Sequence, residues 1–273
     1  MTMAPPRNDG FAHSVAILGA GRLGLALASR LNSIGVDVPL WSRRYANGAP
    51  PSSIGRDYRL VAFDSVATFD VLFSAIPNQA LLHLSSDHRW RSFNGVIFAM
   101  GIDAQVQRVR EVFAQALVVR LSPAIPQGGG EIVSVGLLDA PALGNCRLNS
   151  ARAALELLGP VTWIDEEALY DLTTLLAGPL LTLLKSAISR TIEISLEARH
   201  YPRHFQGELE QLVFTELARR SLGSSDSSQI AEKERSTPAG VTEVALGRRE
   251  RLGRELFGIV ELMLDRMAHL REE

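Results

Sequence analysis

Three glycines at fixed spacing carry the first chemistry that can be read from this chain. Gly19-Ala20-Gly21-Arg22-Leu23-Gly24 follows the apolar run Val15 to Leu18 and opens into Leu23 to Leu31, where leucines and alanines recur at helical spacing. At such a strand-to-helix turn the first glycine makes the tight turn, the second lets backbone approach a pyrophosphate, and the third lets helix pack on strand. The free N–H groups of the helix start would then face the phosphates. The chemistry implied is that of a bound dinucleotide, which the protein orients rather than performs.

Two further stretches bear on the same chemistry. Ser42-Arg43-Arg44 ends the second predicted strand, where an acidic residue would hold the ribose hydroxyls of NAD. A hydroxyl and two guanidinium groups suit a 2′-phosphate instead, so NADPH is the cofactor expected. The other reading, that Arg43 and Arg44 keep a loop in solution, stays open here. Ser236-Thr237-Pro238-Ala239-Gly240-Val241-Thr242 is a turn leading into a helix, with Thr242 near its first turn. A hydroxyl and free N–H groups there either receive an anionic or polar ligand or simply cap the helix. The histidines do not converge: His83 and His88 lie near a loop, and Pro202 stands between His200 and His204. No metal site is expected, since no cysteine or carboxylate pattern completes one, and no Ser-His-Asp or Cys-His grouping stands out.

The elements that must position these residues alternate strand with helix. Val36 to Trp41 reads as the second strand and Tyr58 to Phe63 as a short third, after a loop marked by Pro50, Pro51 and Gly55. Val71 to Ile76, Gly95 to Met100 and Leu117 to Leu121 are continuous apolar runs, as strands buried on both faces should be. A parallel, doubly wound Rossmann-type sheet follows from that alternation. Ligands bind such sheets beyond the carboxyl ends of the strands. That makes Ala75-Ile76-Pro77, Met100-Gly101 and Ser122-Pro123-Ala124, continuing to Pro126, the predicted rim of a cleft. Ile132 to Leu137 adds a strand, and Asn149 to Leu158 a helix closed by Gly159-Pro160.

From Asp165 onward long helical segments replace strands: Glu166 to Ala177, Leu180 to Ala198, Gln206 to Leu222 and Leu246 to Leu270. The chain is therefore divided into a disordered tail (1–12), an α/β nucleotide-binding domain (13–163) and an all-α domain (164–273). Gly178-Pro179 is predicted to kink or break its helix, and Ser221 to Ser236 reads as a solvated connection. The last helix aligns Leu252, Leu256, Ile259, Val260, Met263 and Met267 in one apolar stripe that needs a partner surface.

With 273 residues and 46% hydrophobic content the chain can fill two cores. A formal charge of −2 and the lack of any basic stripe argue against nucleic acid. The single cysteine, Cys146, forbids an internal disulfide framework and fits a cytoplasmic location. The opening residues lack the apolar core of a signal peptide. The apolar stretch Leu169 to Ile188 is interrupted by Asp171, Gly178-Pro179 and Lys185, so no membrane span is expected.

Four motifs in order make the chain resemble the pyrroline-5-carboxylate reductase family. That family has a glycine-rich nucleotide turn, a Met-Pro-Asn-Thr-Pro segment, a Gly-Ser-Gly-Pro segment and a Ser-Pro-Gly-Gly-x-Thr turn. Here stand Gly19 to Gly24, Ser122-Pro123-Ala124-Ile125-Pro126, Leu176-Ala177-Gly178-Pro179 and Thr237-Pro238-Ala239-Gly240-Val241-Thr242. The resemblance implies an N-terminal nucleotide domain, a C-terminal helical domain that forms a homodimer, and substrate held between nicotinamide and the helical domain. It gives Thr242 the hydrogen bond to the substrate nitrogen, and the backbone around Ala239 to Val241 a substrate carboxylate. It also implies departures: Ala75-Ile76-Pro77 replaces Val-Lys-Pro, Ala124-Ile125 replaces Asn-Thr, and Leu180-Leu181 replaces Ala-Tyr. Polar groups have been lost, and Ala239 takes a left-handed backbone less readily than the glycine it replaces.

The expectation is an NADPH-dependent reductase of a C=N bond, acting on a small cyclic imine other than the proline precursor, in a pathway to a specialised product. Pyrroline-5-carboxylate reduction itself is one alternative. A hydroxyacid-type dehydrogenase with Lys185 as base is another, and a non-catalytic NADPH-binding regulator a third.

Overall fold

Short apolar runs bounded by turns form a sheet covered on both faces, which is why its strands need no polar side. The structure is a computed structural model describing residues 14–43, 58–84, 87–101, 106–126, 130–138, 144–222 and 247–272. The predicted tail, the loop around Pro50 to Gly55, Arg44, the Ser-rich connection after Leu222 and the whole Ala239-Gly240-Val241-Thr242 turn lie outside the described residues. The strands are β1 (Val15–Leu18), β2 (Leu40–Trp41), β3 (Val71–Ser74), β4 (Val96–Ala99), β5 (Leu117–Ala124), β6 (Val133–Leu137) and β7 (Val161–Ile164). They lie in the order β2-β1-β3-β4-β5-β6-β7.

From β1 to β5 the pairing is parallel, whereas β6 runs antiparallel to β5 and β7 parallel to β6. The expected doubly wound, parallel sheet is present, with one antiparallel pair at β6. The chain between Ala124 and Val133 is shorter than the crossover of about a dozen residues that a parallel partner demands. The second strand is also shorter than its predicted span, Leu40–Trp41 only. The predicted strand from Tyr58 to Phe63 reduces to one bridge between Leu40 and Leu60, because Phe63 opens a short helix, Phe63–Val66.

One face of the sheet is covered by α1 (Arg22–Ser33) and α2 (Cys146–Leu158), whose Leu27, Ala28, Leu31, Leu148, Ala151 and Leu155 pack on Ile17, Phe73, Phe98 and Val119. The other face buries Leu18, Leu72, Ile97 and Val118 under Trp90, Phe93, Val109, Phe113 and Tyr170. Short helices on that side are Phe63–Val66, Asn78–His83, His88–Arg91 and Val106–Val112. Phe73 and Phe98 stack at 5.2 Å across β3 and β4.

Two compact units result, Met1–Thr174 with Arg266–Glu273, and Leu175–Asp265. The sequence boundary at Trp163 falls inside β7, a strand the periodicity did not reveal. The first unit continues to Thr174, within helix α3 (Glu167–Leu175), and Tyr170 and Asp171 of that helix are buried. Among its described residues the second unit is helical: a π turn (Leu176–Leu180), α4 (Leu181–Ala198), α5 (Phe205–Leu222) and most of α6 (Arg249–Glu272). The predicted break at Gly178-Pro179 takes the form of that π turn. A proline has no N–H to donate, and the widened turn absorbs the missing bond, with Thr182 Oγ1 donating to the Gly178 carbonyl at 3.0 Å.

Candidate functional site

The glycine turn is built by three glycines under three different constraints. Gly19 has φ +114°, and a β-carbon there would meet the Ala75 carbonyl oxygen at 2.7 Å and Ile76 Cγ2 at 2.9 Å. A β-carbon on Gly24 would lie 1.9 Å from the Gly19 carbonyl oxygen, so α1 and β1 touch through backbone. Around Gly21 no described residue lies within 4 Å of the added carbon. The middle glycine therefore faces open space at the start of α1.

That helix start is available to an anion. Gly21 caps α1 with no side-chain hydrogen bond, and its first turn holds no acidic residue. Gly21 and Arg22 are exposed and Leu23 is half-buried. The first helical bond runs from the Leu25 N–H to the Gly21 carbonyl at 2.9 Å, which leaves the N–H groups before it without an intrahelical acceptor. The partial positive charge of the helix end adds to this. These residues fit a dinucleotide pyrophosphate: there is room at Gly21 among the described residues, donors at the helix start, and no acidic residue in the first turn of α1 to repel it.

Neighbouring strand ends converge on the same turn. The Gly19 N–H donates to the Trp41 carbonyl at 2.8 Å, and the Ala75 N–H donates to the Leu18 carbonyl at 2.8 Å. β1 thereby lies between β2, followed by Ser42 and exposed Arg43, and β3, followed by Ala75-Ile76-Pro77. Strand order reverses direction at β1, where doubly wound sheets hold ligands. Gly19 to Gly24, Ser42, Arg43 and Ala75 to Pro77 are thus brought together at one edge. Buried there are the hydroxyl of Ser74 and the indole N–H of Trp41, neither with a hydrogen-bond partner among the described residues.

Ser122-Pro123-Ala124 stand on the same edge but farther along. Arg120 pairs with Ala99, the last residue of β4, so Leu121 to Ala124 overhang it and pair only with β6. β5 is three strand spacings from β1, about 14 Å laterally. Gly178 and Pro179 belong to the second unit, where Pro179 is exposed and Gly178 half-buried within the π turn. The histidines remain apart: His200 occupies a turn at φ 58° between α4 and α5, and among the described residues no group of three potential ligands could hold a metal.

The periodicity did not reveal a buried charge network at the end of the sheet. Arg120 on β5 is 1% exposed. Its guanidinium donates to Glu167 Oε1 at 2.8 Å and Asp171 Oδ1 at 2.9 Å, and lies 4.5 Å over the Tyr170 ring. Arg271 of α6 donates to the same Asp171 oxygen at 2.6 Å. Tyr170 is pushed up to about 12, chiefly by burial, against the pull of the Arg120 charge. The signal that would have found this network is an arginine inside the apolar run Leu117 to Leu121, since a buried charge demands a partner.

A Rossmann-type sheet followed by a helical unit is the class these elements define. Within that class the fold is that of the pyrroline-5-carboxylate reductases. The enzyme of Streptococcus pyogenes superposes with a TM-score of 0.76 at 17% identity, over 96% of this chain and 99% of that one. That of Plasmodium falciparum, solved with NADP bound, gives 0.75 at 14% identity over 95% and 98%. The imine reductase of Streptomyces aurantiacus gives 0.51 at 17% identity over 81% and 84%. At such identities the likeness is one of fold, and no protein-family model or curated protein matches the sequence.

Proposed function

We propose that this protein is an NADPH-dependent reductase of the C=N bond of a small cyclic imine. The observation that carries the reading is the open helix start at Gly21, set between the ends of β2 and β3 in a chain that shares its full-length fold with reductases of this chemistry. The reduced nicotinamide, when bound, supplies the hydride.

The chain's own residues bind and orient. Backbone N–H groups of Gly21, Arg22 and Leu23 hold the pyrophosphate, and Ser42, Arg43 and Arg44 take the 2′-phosphate. Gly19, Ala20 and Gly24 keep the turn tight, and Ala75-Ile76-Pro77 form the wall beside it. Ser122, Pro123, Ala124, Gly178 and Pro179 contact the substrate, Thr242 donates a hydrogen bond toward its nitrogen, and Ala239, Gly240 and Val241 receive a carboxylate where one is present. No strong base is required for that role. The apolar replacements at Ile76, Ile125 and Leu181 favour a ring less polar than pyrroline-5-carboxylate.

The active form proposed is a cytoplasmic homodimer formed through the C-terminal helices. Leu181, Ile194, Leu212, Leu217, Phe257 and Leu262 are large, apolar and exposed, more than scattered surface positions account for. The segment Glu167–Ala198 is also long and apolar enough to cross a membrane; burial against a second copy is the proposed cover.

A panel of cyclic imines with NADPH oxidation as readout tests the reading. Turnover is expected on a ring other than pyrroline-5-carboxylate, and a strong preference for that compound overturns the substrate assignment. Oxidation of hydroxyacids without imine reduction overturns the C=N chemistry. Tight NADPH binding with no turnover on any substrate overturns catalysis.

A further inference from the structure

The chain leaves the first unit after Thr174 and returns to it at Arg266, and these two crossings are tied to one carboxylate. Asp171, on the outgoing helix α3, accepts from Arg271 on the returning helix α6 at 2.6 Å and from Arg120 on β5 at 2.9 Å. Glu167, one turn earlier on α3, takes the other Arg120 nitrogen at 2.8 Å. Arg108 donates to the Arg271 carbonyl at 3.0 Å. The side chains of Arg120 and Asp171 are only 2% and 8% exposed.

A buried ion network of this kind is an inefficient route to stability, since apolar residues of similar volume often do as well. What a carboxylate between two guanidinium groups adds is direction. It fixes α3, α6 and β5 at one point, where packed leucines would allow sliding. Arg120, the last β5 residue paired with β4, stands two residues before Ser122, which lies in the part of β5 that overhangs β4. A shift of either crossing is thereby passed to the strand that carries Ser122 to Ala124.

We propose that Asp171 is a positioning residue that joins the outgoing and returning chain into a single root on β5 and holds Ser122 to Ala124 relative to it. Its catalytic consequence rests on the reductase reading; the structural consequence does not. The test compares Asp171→Asn, Arg271→Met and Arg271→Lys in the full chain by hydrogen–deuterium exchange, NADPH titration and steady-state kinetics. Asp171→Asn and Arg271→Met are expected to speed exchange of the amides at 266–272 at least tenfold, with β1 and β4 as protected as in the parent. Arg271→Lys should restore most of that protection. With an imine that is turned over, kcat should fall at least tenfold while KM for NADPH stays within twofold.

Unchanged exchange at 266–272 overturns the proposal, as does loosening shared equally with β1 and β4. If Asp171→Asn does not fold, Arg271→Met decides alone. Where no imine is reduced by the parent protein, the reductase reading fails and the exchange arms still decide the root. Faster exchange at 266–272 with kcat unchanged, or with kcat and the KM for NADPH altered together, overturns the coupling to Ser122.

Discussion

Gly24 and Gly19 are in backbone contact: a β-carbon on Gly24 would stand 1.9 Å from the Gly19 carbonyl oxygen. A β-carbon on Gly21, between them, would meet none of the described residues within 4 Å, and the φ of Gly21 is an ordinary −81°. Stability and nucleotide binding therefore separate along one turn. Gly24→Ala should lift α1 from the sheet and lower stability by about 1–3 kcal/mol, the usual cost of overpacking, seen as an earlier urea midpoint. Gly21→Ala should stay within about 1 kcal/mol of the parent as a cap change, yet weaken NADPH binding. Equal losses of stability in the two variants would refute this division.

Arg43 is exposed at the end of β2, beside the turn that Gly19 shares with Trp41. If it holds the 2′-phosphate, Arg43→Ala removes a charge-assisted hydrogen bond of about 1.5–3 kcal/mol. The ratio of NADPH to NADH affinity should then drop roughly ten- to hundredfold. Titration with both nucleotides is the check, and an unchanged ratio would return Arg43 to the role of a solubilising loop residue.

Tyr170 is raised from 10.0 to about 12, first by burial. Its neutral form is thus favoured by folding, so the folded chain binds the proton more tightly than the unfolded chain. The associated stability is complete below pH 10 and is lost as pH rises toward 12, by up to about 2–3 kcal/mol. Tyr170→Phe should flatten the fall in stability over that interval, measured by urea melts at successive pH values. An equally steep fall in the variant would assign it to other groups.

The sheet was legible where strands are buried on both faces, because Val71 to Ser74 and Val96 to Ala99 are apolar without interruption. β7 was not, since it starts directly after Gly159-Pro160 and its exposed Thr162 and half-buried Trp163 break any simple run. The reversal at β6 depends on connection length rather than residue type, and the π turn at Pro179 on the helix finding a compromise that periodicity cannot express. For the site, spacing alone identified the glycines, but Asp171 and Arg271 are a hundred residues apart. Only the fold brings them to Arg120.

Phe257 and Leu262 lie off the stripe read from the last helix and are 65% and 69% exposed. On the stripe, Val260 and Met267 are buried, whereas Leu252 is not. Burying those two exposed side chains in a dimer would contribute about 1.5–3 kcal/mol each per subunit. Phe257→Glu and Leu262→Glu should each shift the protein from dimer to monomer in sedimentation velocity at micromolar concentration. A parent chain that is already monomeric there would overturn the dimer.

In the proposed reaction Thr242 is the residue that meets the substrate nitrogen. A hydroxyl that donates to the imine nitrogen stabilises the charge and geometry of the reacting bond without contacting the nucleotide phosphates. Thr242→Ala should therefore lower kcat by about ten- to a hundredfold, the effect expected for losing a hydrogen bond of roughly 1.4–3 kcal/mol to a charged group, with NADPH affinity intact. Thr242→Ser, which keeps the donor, should recover most of the rate. Turnover unchanged in the alanine variant would remove Thr242 from the reaction, and recovery absent in the serine variant would show that its methyl group, not its hydroxyl, is what matters.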